Sequence, residues 1–384
     1  MTSRERVLRT LNREPTDRMP IDLGSHMSTG ISMFAYWNLR EHLGLPTDSI
    51  WIPDVVQGLA YVDTDILERF HVDCMLLTPP WPAQRRWNPR GRYTFSVPEA
   101  FDPELQPDGS WVATRAGKSM VMPANGLFFD GEWMNDSWHD FSEDEVIELY
   151  AREAERIYKE TDYACMFVGY AYGGGLAGFF QGVEQGCRML TDPDSVHEEN
   201  EASLQEQIRL FNRVNEAFGP YIQLIAVGDD MGGQNGPLVS PESIERFCAP
   251  YYKRLCRHIH RTSDIKVFMH NCGGIEPLMP CLIDAGIDAI NPVQISAAGM
   301  EHEKLKAKYG EHIVFWGGGC DTQGVLGAAA PHEVREHVRA LAHIFKEGGG
   351  YVFNQVHNIM GDVPPENVVA MLDTAFEEGF YEPS

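Results

Sequence analysis

The segment IKVFMHNCGG, residues 265–274, shows most clearly the pattern on which the fold depends. Its first residues are mostly strand formers, and a Gly-Gly pair ends the run. Residues i and i+2 of a strand point to the same face, so His270 and Cys272 are expected to project together from the strand end. An imidazole beside a soft thiolate is a ligand pair suited to zinc or a similar metal.

The same arrangement, an apolar strand with a polar or glycine-rich end, recurs along the chain and alternates with helical patterns. Ser142 with Glu145 forms a capping box, and Asp192-Pro193 and Ser240-Pro241 are further helix starts. Helices are predicted at 142–160, 192–218, 240–262, 331–346 and 365–378. Short buried strands that alternate with helices indicate an α/β protein with a parallel sheet.

The strand ends favour a closed barrel over an open sheet. Polar clusters end several strands, at residues 228–230, 270–272, 291–294, 317–321 and 354–358. A (β/α)8 barrel collects its site residues from the ends of many strands, whereas an open sheet does so mainly at one switch point. The sequence contains no dinucleotide-binding G-x-G-x-x-G after a strand and no Walker-type loop. We therefore predict a (β/α)8 TIM barrel.

Two segments lie outside the regular alternation. Residues 3–13 have apolar positions at helical spacing and are predicted as an N-terminal helical extension. Residues 79–135 are rich in Pro, Gly and Trp, with one alternating stretch, and are interpreted as an inserted antiparallel excursion. We expect a single domain over residues 1–384 that contains this insertion.

The composition excludes some classes of partner. The formal net charge of −25 argues against nucleic acid and against an anionic membrane surface. The sequence contains no run long enough for a membrane span, and the charged N-terminus lacks an apolar signal core, so a cytoplasmic protein is expected. The 8 cysteines show no disulfide spacing. The oligomeric state stays open, a homo-oligomer included.

Cys320 is the natural third ligand for the metal pair. It follows a Gly-Gly-Gly turn at the end of a strand, and a barrel would place it on the same rim as His270 and Cys272. Three ligands of this type with an open fourth position are typical of a catalytic zinc. The competing interpretation is that Cys320 is a small buried thiol. His357, at the end of the last strand, is a further candidate ligand or supporting group, and His26 is also placed at the rim.

Other rim residues are candidates for catalysis and binding. Asp229 and Asp230 follow one another at a strand end, so only one is expected to enter the pocket, as a general base or hydrogen-bond acceptor. An N-cap or loop role competes with this interpretation. Tyr170 and Tyr172 share a strand face and are assigned, with Gln294, to cofactor binding. Ordinary packing is the alternative for the tyrosines.

Five segments make the chain resemble the uroporphyrinogen decarboxylase superfamily, nearly from end to end. They are SRERVLRTLNREPTDRMPID, GDDMGGQNGPLVSPESIERFCAPYYKRL, HNCGGIEPLMPCLIDAGIDAINPVQ, FWGGGCDTQGVL and GGGYVFNQVHNI. The resemblance implies a (β/α)8 barrel. The decarboxylases of this superfamily bind the carboxylates of a porphyrinogen through an arginine-bearing N-terminal segment, near an R-Q-A-G-R motif. The corresponding segment here reads DLGSHMSTGIS, without arginine, which argues against decarboxylation.

The chain is more similar to the corrinoid-dependent methyltransferase branch, whose members bind zinc through an H-x-C pair and a later cysteine. His270 and Cys272 match the pair. The later cysteine follows the final strand in that branch, where this chain has His357, and Cys320 lies one strand earlier. The third metal ligand is therefore either Cys320 or His357, and His357, Asp229 and Asp230 are the catalytic candidates.

This resemblance implies a zinc-dependent methyltransferase that moves a methyl group between a small molecule and a corrinoid (cobalamin) cofactor. The chain has no cobalamin-carrying module, so a separate corrinoid protein is the implied partner. The alternatives are a decarboxylase-like lyase acting without metal and a non-catalytic corrinoid-binding barrel. The methyl donor or acceptor and the direction of transfer are not determined by the sequence.

Overall fold

The structure is a computed structural model, and it describes residues 1–79, 81, 83–132, 138–169 and 176–381. The helices, in chain order, are α1 Ser3–Leu11, α2 Met33–His42, α3 Thr64–Arg69, α4 Glu143–Glu160, α5 Val183–Thr191, α6 Pro193–Phe218, α7 Pro241–Phe247, α8 Ala249–Thr262, α9 Met279–Ala285, α10 His302–Tyr309, α11 Pro331–Lys346 and α12 Pro365–Glu378. The strands are β1 Cys74–Leu76, β2 Gln84–Trp87, β3 Phe95–Pro98, β4 Glu104–Leu105, β5 Trp111–Arg115, β6 Lys118–Met122, β7 Asp130–Gly131, β8 Ala164–Phe167, β9 Leu224–Gly228, β10 Gly232–Gly233, β11 Gly236–Pro237, β12 Lys266–His270, β13 Ala289–Asn291, β14 Val314–Trp316 and β15 Tyr351–Val352.

The central sheet is parallel, and its strands lie in the order β1-β8-β9-β12-β13-β14-β15. The segment around Ile21 joins the two edges. Ile21 forms a parallel bridge with Phe353, just after β15, and its carbonyl accepts the N–H of Asp73, just before β1, at 2.7 Å. This eighth segment closes the sheet, which confirms the predicted (β/α)8 TIM barrel.

The two-residue alternation of the strands separates two apolar cores. Every second strand residue, Phe268 and Trp316 among them, belongs to a cluster inside the barrel, and the intervening residues pack against the helices. Val7 and Leu11 of α1 belong to the inner cluster. The predicted N-terminal helix therefore packs its apolar side against the inner core of the barrel.

One predicted helix, 240–262, is in fact two. α7 ends before Cys248 and α8 begins at Ala249, because Pro250 lies in the first turn of α8 and has no N–H to continue the hydrogen bonding of α7. Helices predicted at 142–160, 192–218, 331–346 and 365–378 correspond to α4, α6, α11 and α12, with ends that differ by at most two residues.

Residues 79–135, predicted as an antiparallel insertion, contain strands that do not join the barrel sheet. β2 and β3 form an antiparallel pair, and β4 to β7 form a four-stranded antiparallel sheet. Residues 80, 82 and 133–135 of this segment lie outside the described part of the chain. Within the described ranges, no helix is long and apolar enough to cross a membrane.

Candidate functional site

The strand end that follows β12 brings two predicted ligands together with a third from the loop after β15. Ligand atoms of His270, Cys272 and His357 all lie within 4.8 Å of one another. The Cys272 Sγ is 3.3 Å from the His270 Nε2, and the ring centroids of His270 and His357 are 5.9 Å apart. The i, i+2 spacing therefore places the imidazole and the thiol on one face, as expected.

A buried amide fixes which nitrogen of His270 is available as a ligand. The Asn291 Nδ2 donates to the carbonyl of Trp316 at 2.9 Å, so its Oδ1 must act as an acceptor. That oxygen lies 2.9 Å from the His270 Nδ1 and also accepts the hydroxyl of Ser28 at 2.7 Å. The proton of a neutral His270 consequently sits on Nδ1, and the Nε2 lone pair faces the Cys272 thiol. This is the outer hydrogen bond that metal-binding histidines commonly make.

The His357 loop is held in place by hydrogen bonds to the segment after the first barrel strand. The Asn358 Oδ1 accepts the N–H of Gly30 at 2.8 Å, and its Nδ2 donates to the carbonyl of Met27 at 2.8 Å. Burial, with a smaller contribution from His270, lowers the pKa of His357 to about 4. The ring is therefore neutral near pH 7, as a metal ligand must be.

Cys320 is not a member of the ligand group. Its side chain is fully buried, its Sγ contacts only the carbonyl of Asp321, at 3.9 Å, among the described hydrogen-bond partners, and burial raises the pKa of the thiol. Cys320 supports the His357 loop through its backbone, since its carbonyl accepts the N–H of Val356, the residue before His357, at 2.9 Å. Of the two candidates for the third ligand, the structure places His357 at the pair.

Asp230 lies beside the ligand pair at the mouth of the cavity. Its Oδ1 accepts the N–H of Cys272 at 3.2 Å and is 3.7 Å from the His270 Nε2, and its side chain is 67% exposed. Burial, and then the nearby Asp230 carboxylate, raise the pKa of the Cys272 thiol. Binding of a cation would offset both effects and release the thiol proton.

The donor set and its spacing fit a zinc ion. Adjacent nitrogen and sulfur ligands of a tetrahedral zinc are about 3.5 Å apart, given Zn–N and Zn–S bonds of about 2.0 and 2.3 Å. The Nε2–Sγ distance of 3.3 Å between His270 and Cys272 is close to this value. Three protein ligands beside a cavity also match the open coordination of catalytic zinc sites. His270, Cys272 and His357 are thus the residues suited to hold the metal.

Asp229 and Asp230 both line the cavity, so the expectation that only one of them enters it was wrong. The alternation of strand β9 does not extend to them, because the strand ends at Gly228. Asp229 is not a member of the ligand group and organises a different part of the wall. Its Oδ2 accepts the N–H groups of Phe179 and Phe180, at 2.8 and 2.9 Å, and the hydroxyl of Tyr252. Burial raises the pKa of Asp229 to about 7, against the opposing effect of these three donors. A side chain on Gly178 would overlap this carboxylate, so the close approach requires glycine there.

Of the three residues assigned to cofactor binding, Gln294 lies within the described part of the chain. The Gln294 Oε1 accepts the N–H of Gly273 at 2.8 Å and so supports the turn that follows Cys272. Tyr170 and Tyr172 lie outside the described residues.

A cavity of about 580 Å³ opens onto the ligand group, and His26 forms part of its wall. The His26 ring stacks on that of His270 with centroids 5.7 Å apart, and its buried Nε2 has no hydrogen-bond partner among the described residues. Ser28 and Asn291 were missed as functional residues by the sequence reasoning. Asn291 could have been predicted from the sequence, because it belongs to a polar strand end. No local sequence pattern indicates a functional role for Ser28.

Comparisons with known proteins agree with this fold. The family model described as Uroporphyrinogen decarboxylase (URO-D) matches residues 177–377, more than half of the chain. Curated proteins named uroporphyrinogen decarboxylase match from Psychromonas ingrahamii, with 27% identity over 40% of this chain and 41% of the relative, and from Methylococcus capsulatus, with 26% identity over 54% and 55%. These two matches thus span about half of each relative or less.

Two longer comparisons cover nearly the whole chain. The uroporphyrinogen decarboxylase of Alkalilimnicola ehrlichii is 23% identical over 97% of this chain and 93% of its own length. A solved structure described as a methyltransferase from Methanosarcina mazei matches with a TM-score of 0.59 and 17% identity, over 98% of this chain and 99% of the other. At that identity the structural likeness concerns the fold. The chain belongs to the uroporphyrinogen decarboxylase (URO-D) family.

Proposed function

We propose that the protein is a zinc-dependent methyltransferase that moves a methyl group between a small molecule and a corrinoid carried by a partner protein. The single observation that carries the proposal is the group formed by His270, Cys272 and His357 beside an open cavity. A zinc ion in this group would supply Lewis acidity toward a thiol, ether or amine of the substrate.

The residues around the group have separate roles in the proposal. Asn291 holds the His270 ring so that Nε2 faces the ligand position. Asp230 stands at the cavity mouth, where it can contact the substrate, and Asp229 holds the segment after Gly178 through the N–H groups of Phe179 and Phe180. His26 lines the cavity, and its Nε2 has no hydrogen-bond partner in the described part of the chain.

The second candidate is a metal-independent decarboxylase, which the names of the curated relatives favour. The cavity wall argues against it, because a porphyrinogen carries several carboxylates. The segment in which the resemblance places arginines contributes His26, Met27 and Ser28 to the wall. No lysine or arginine lines this cavity among the described residues.

The decisive experiment follows the methyl group spectroscopically. Zinc-loaded protein is incubated with cob(I)alamin and a panel of methyl ethers and methylamines, and separately with methylcobalamin and a panel of thiols. We expect methyl transfer in one direction with wild type, its loss in His270→Ala and its retention in Cys320→Ala.

Two outcomes would overturn the proposal. Metal-free protein that decarboxylates uroporphyrinogen, with His270→Ala as active as wild type, would establish the lyase. Cobalamin binding without methyl transfer in either direction would instead favour a non-catalytic corrinoid-binding barrel.

A further inference from the structure

The charges on the cavity wall restrict the substrate that it can take. Among the described residues, the wall contains carboxylates and imidazoles but neither lysine nor arginine. The residues outside the described ranges read P, P, WMNDS, YAYGGG and EPS, so none of them is basic either. A cationic side chain to pair with an acidic substrate group is therefore missing from the described wall and from those stretches.

Three backbone donors in the described part of the rim, which could also bind an anion, already have acceptors within the protein. The N–H groups of Phe179 and Phe180 are taken by Asp229. The N–H of Gly273 is taken by Gln294, at 2.8 Å. Backbone N–H groups that converge on an empty position form the usual anion site of a loop, and these donors do not leave one.

Asp230 adds a repulsive charge at the mouth. Its N–H partner is Cys272, and among the described residues the only basic side chain within ion-pair distance is His270, at 3.7 Å. An anionic group within about 4 Å of a surface carboxylate would be bound at least about five-fold more weakly than an uncharged one. With a divalent ion in the ligand group, the Cys272 thiolate and the Asp230 carboxylate would balance its formal charge, so the metal would add little long-range attraction for an acidic group elsewhere on the substrate.

We infer that the cavity takes a small substrate that lacks an acidic group, meaning an uncharged or cationic methyl compound or methyl acceptor. This inference rests on the proposed function, and it restricts the class of substrate that the proposed enzyme can take. It excludes carboxylate, phosphate and sulfonate compounds as occupants of the cavity, and it gives Asp230 the role of a specificity residue.

The test measures the electrostatics of the cavity without a corrinoid or a methyl-transfer assay. Met27 lines the cavity, so zinc-loaded Met27→Cys protein is treated with methanethiosulfonate reagents that carry a sulfonate or a trimethylammonium group. The reaction rate with the uncharged methyl reagent corrects for the different accessibility of the two cysteines. Exposed Cys187 serves as the internal reference, and rates at both sites are read by peptide mass spectrometry.

We expect the trimethylammonium-to-sulfonate rate ratio at position 27 to exceed that at Cys187 at least about five-fold. Asp230→Asn should lower the ratio at position 27 and leave the ratio at Cys187 unchanged. An equal or smaller ratio at position 27 would overturn the inference. Gln57→Cys, at another part of the wall, repeats the measurement if Met27→Cys does not fold.

The two proposals can fail separately. If methyl transfer is never seen but the cationic reagent is favoured, the substrate restriction stands and the reaction is wrong. If methyl transfer is seen and the sulfonate reagent reacts as fast at position 27, the reaction stands and the restriction is wrong.

Discussion

Asn291 offers the sharpest perturbation of the site, because it contacts the candidate ligand group without belonging to it. Its side chain is fully buried and makes three hydrogen bonds, to the Trp316 carbonyl, to Ser28 and to the His270 Nδ1. Asn291→Leu keeps the approximate volume and removes all three. The His270 ring then loses the contact that fixes its tautomer and orientation.

The expected cost has two parts. Each buried polar group left without a partner costs about 1–3 kcal/mol, and some of these groups can relax or gain water, so we expect a loss of about 2–4 kcal/mol in the free energy of unfolding. Removal of the outer partner of a metal-binding histidine typically lowers metal affinity about 10- to 100-fold. Zinc affinity should therefore fall by this factor in the folded variant.

Zinc affinity is measured by competition with a chromophoric chelator, and stability by urea unfolding. Asn367→Leu is the matched control, because Asn367 is equally buried and donates to the carbonyls of Leu326 and Ala329, each at 2.9 Å, away from the cavity. The control should lose stability and keep its zinc affinity. Wild-type zinc affinity in folded Asn291→Leu would refute the role given to Asn291.

Two further predictions concern Asp229 and the metal. Because burial raises the pKa of Asp229 to about 7, folding takes up a proton between about pH 4 and pH 7, so this group's contribution to stability falls as pH rises through that range. The stability of Asp229→Asn relative to wild type should therefore improve from pH 4 to pH 7 in urea titrations, and parallel curves would contradict the assignment. Zinc at 100 times its Kd should stabilise the wild type by about 2.7 kcal/mol. Divided by the unfolding entropy expected for a chain of this length, this corresponds to a rise in Tm of about 3 °C. Differential scanning calorimetry should show this shift in Cys320→Ala and not in His357→Ala, and the reverse pattern would make Cys320 the ligand.

Much of the fold was predictable because it depends on local patterns. The two-residue period of a strand determines which side chains of 265–274 share a face, and it placed His270 beside Cys272 correctly. The division between α7 and α8 also had a local signal, since Pro250 cannot donate the hydrogen bond that a continuous helix requires. That signal was present in the sequence and was not used.

The third member of the candidate ligand group could not be identified by local reasoning. Cys320 follows Gly317 and Gly318, whose φ values of 115° and 73° redirect the chain so that the thiol ends in the core. His357 reaches the pair because Asn358 attaches its loop to Gly30, more than 300 residues away in sequence. Such contacts form only when the barrel closes, so they cannot be predicted from the spacing of residues along the chain.

X-ray absorption at the zinc edge of the zinc-loaded, full-length protein tests the central claim most directly, because it distinguishes sulfur from imidazole ligands. We expect one sulfur at about 2.3 Å and two imidazole nitrogens at about 2.0 Å, from Cys272, His270 and His357. One imidazole should disappear in His357→Ala, and the spectrum of Cys320→Ala should match that of wild type. Two sulfur ligands in wild type, with one lost in Cys320→Ala, would contradict the site described by the structure.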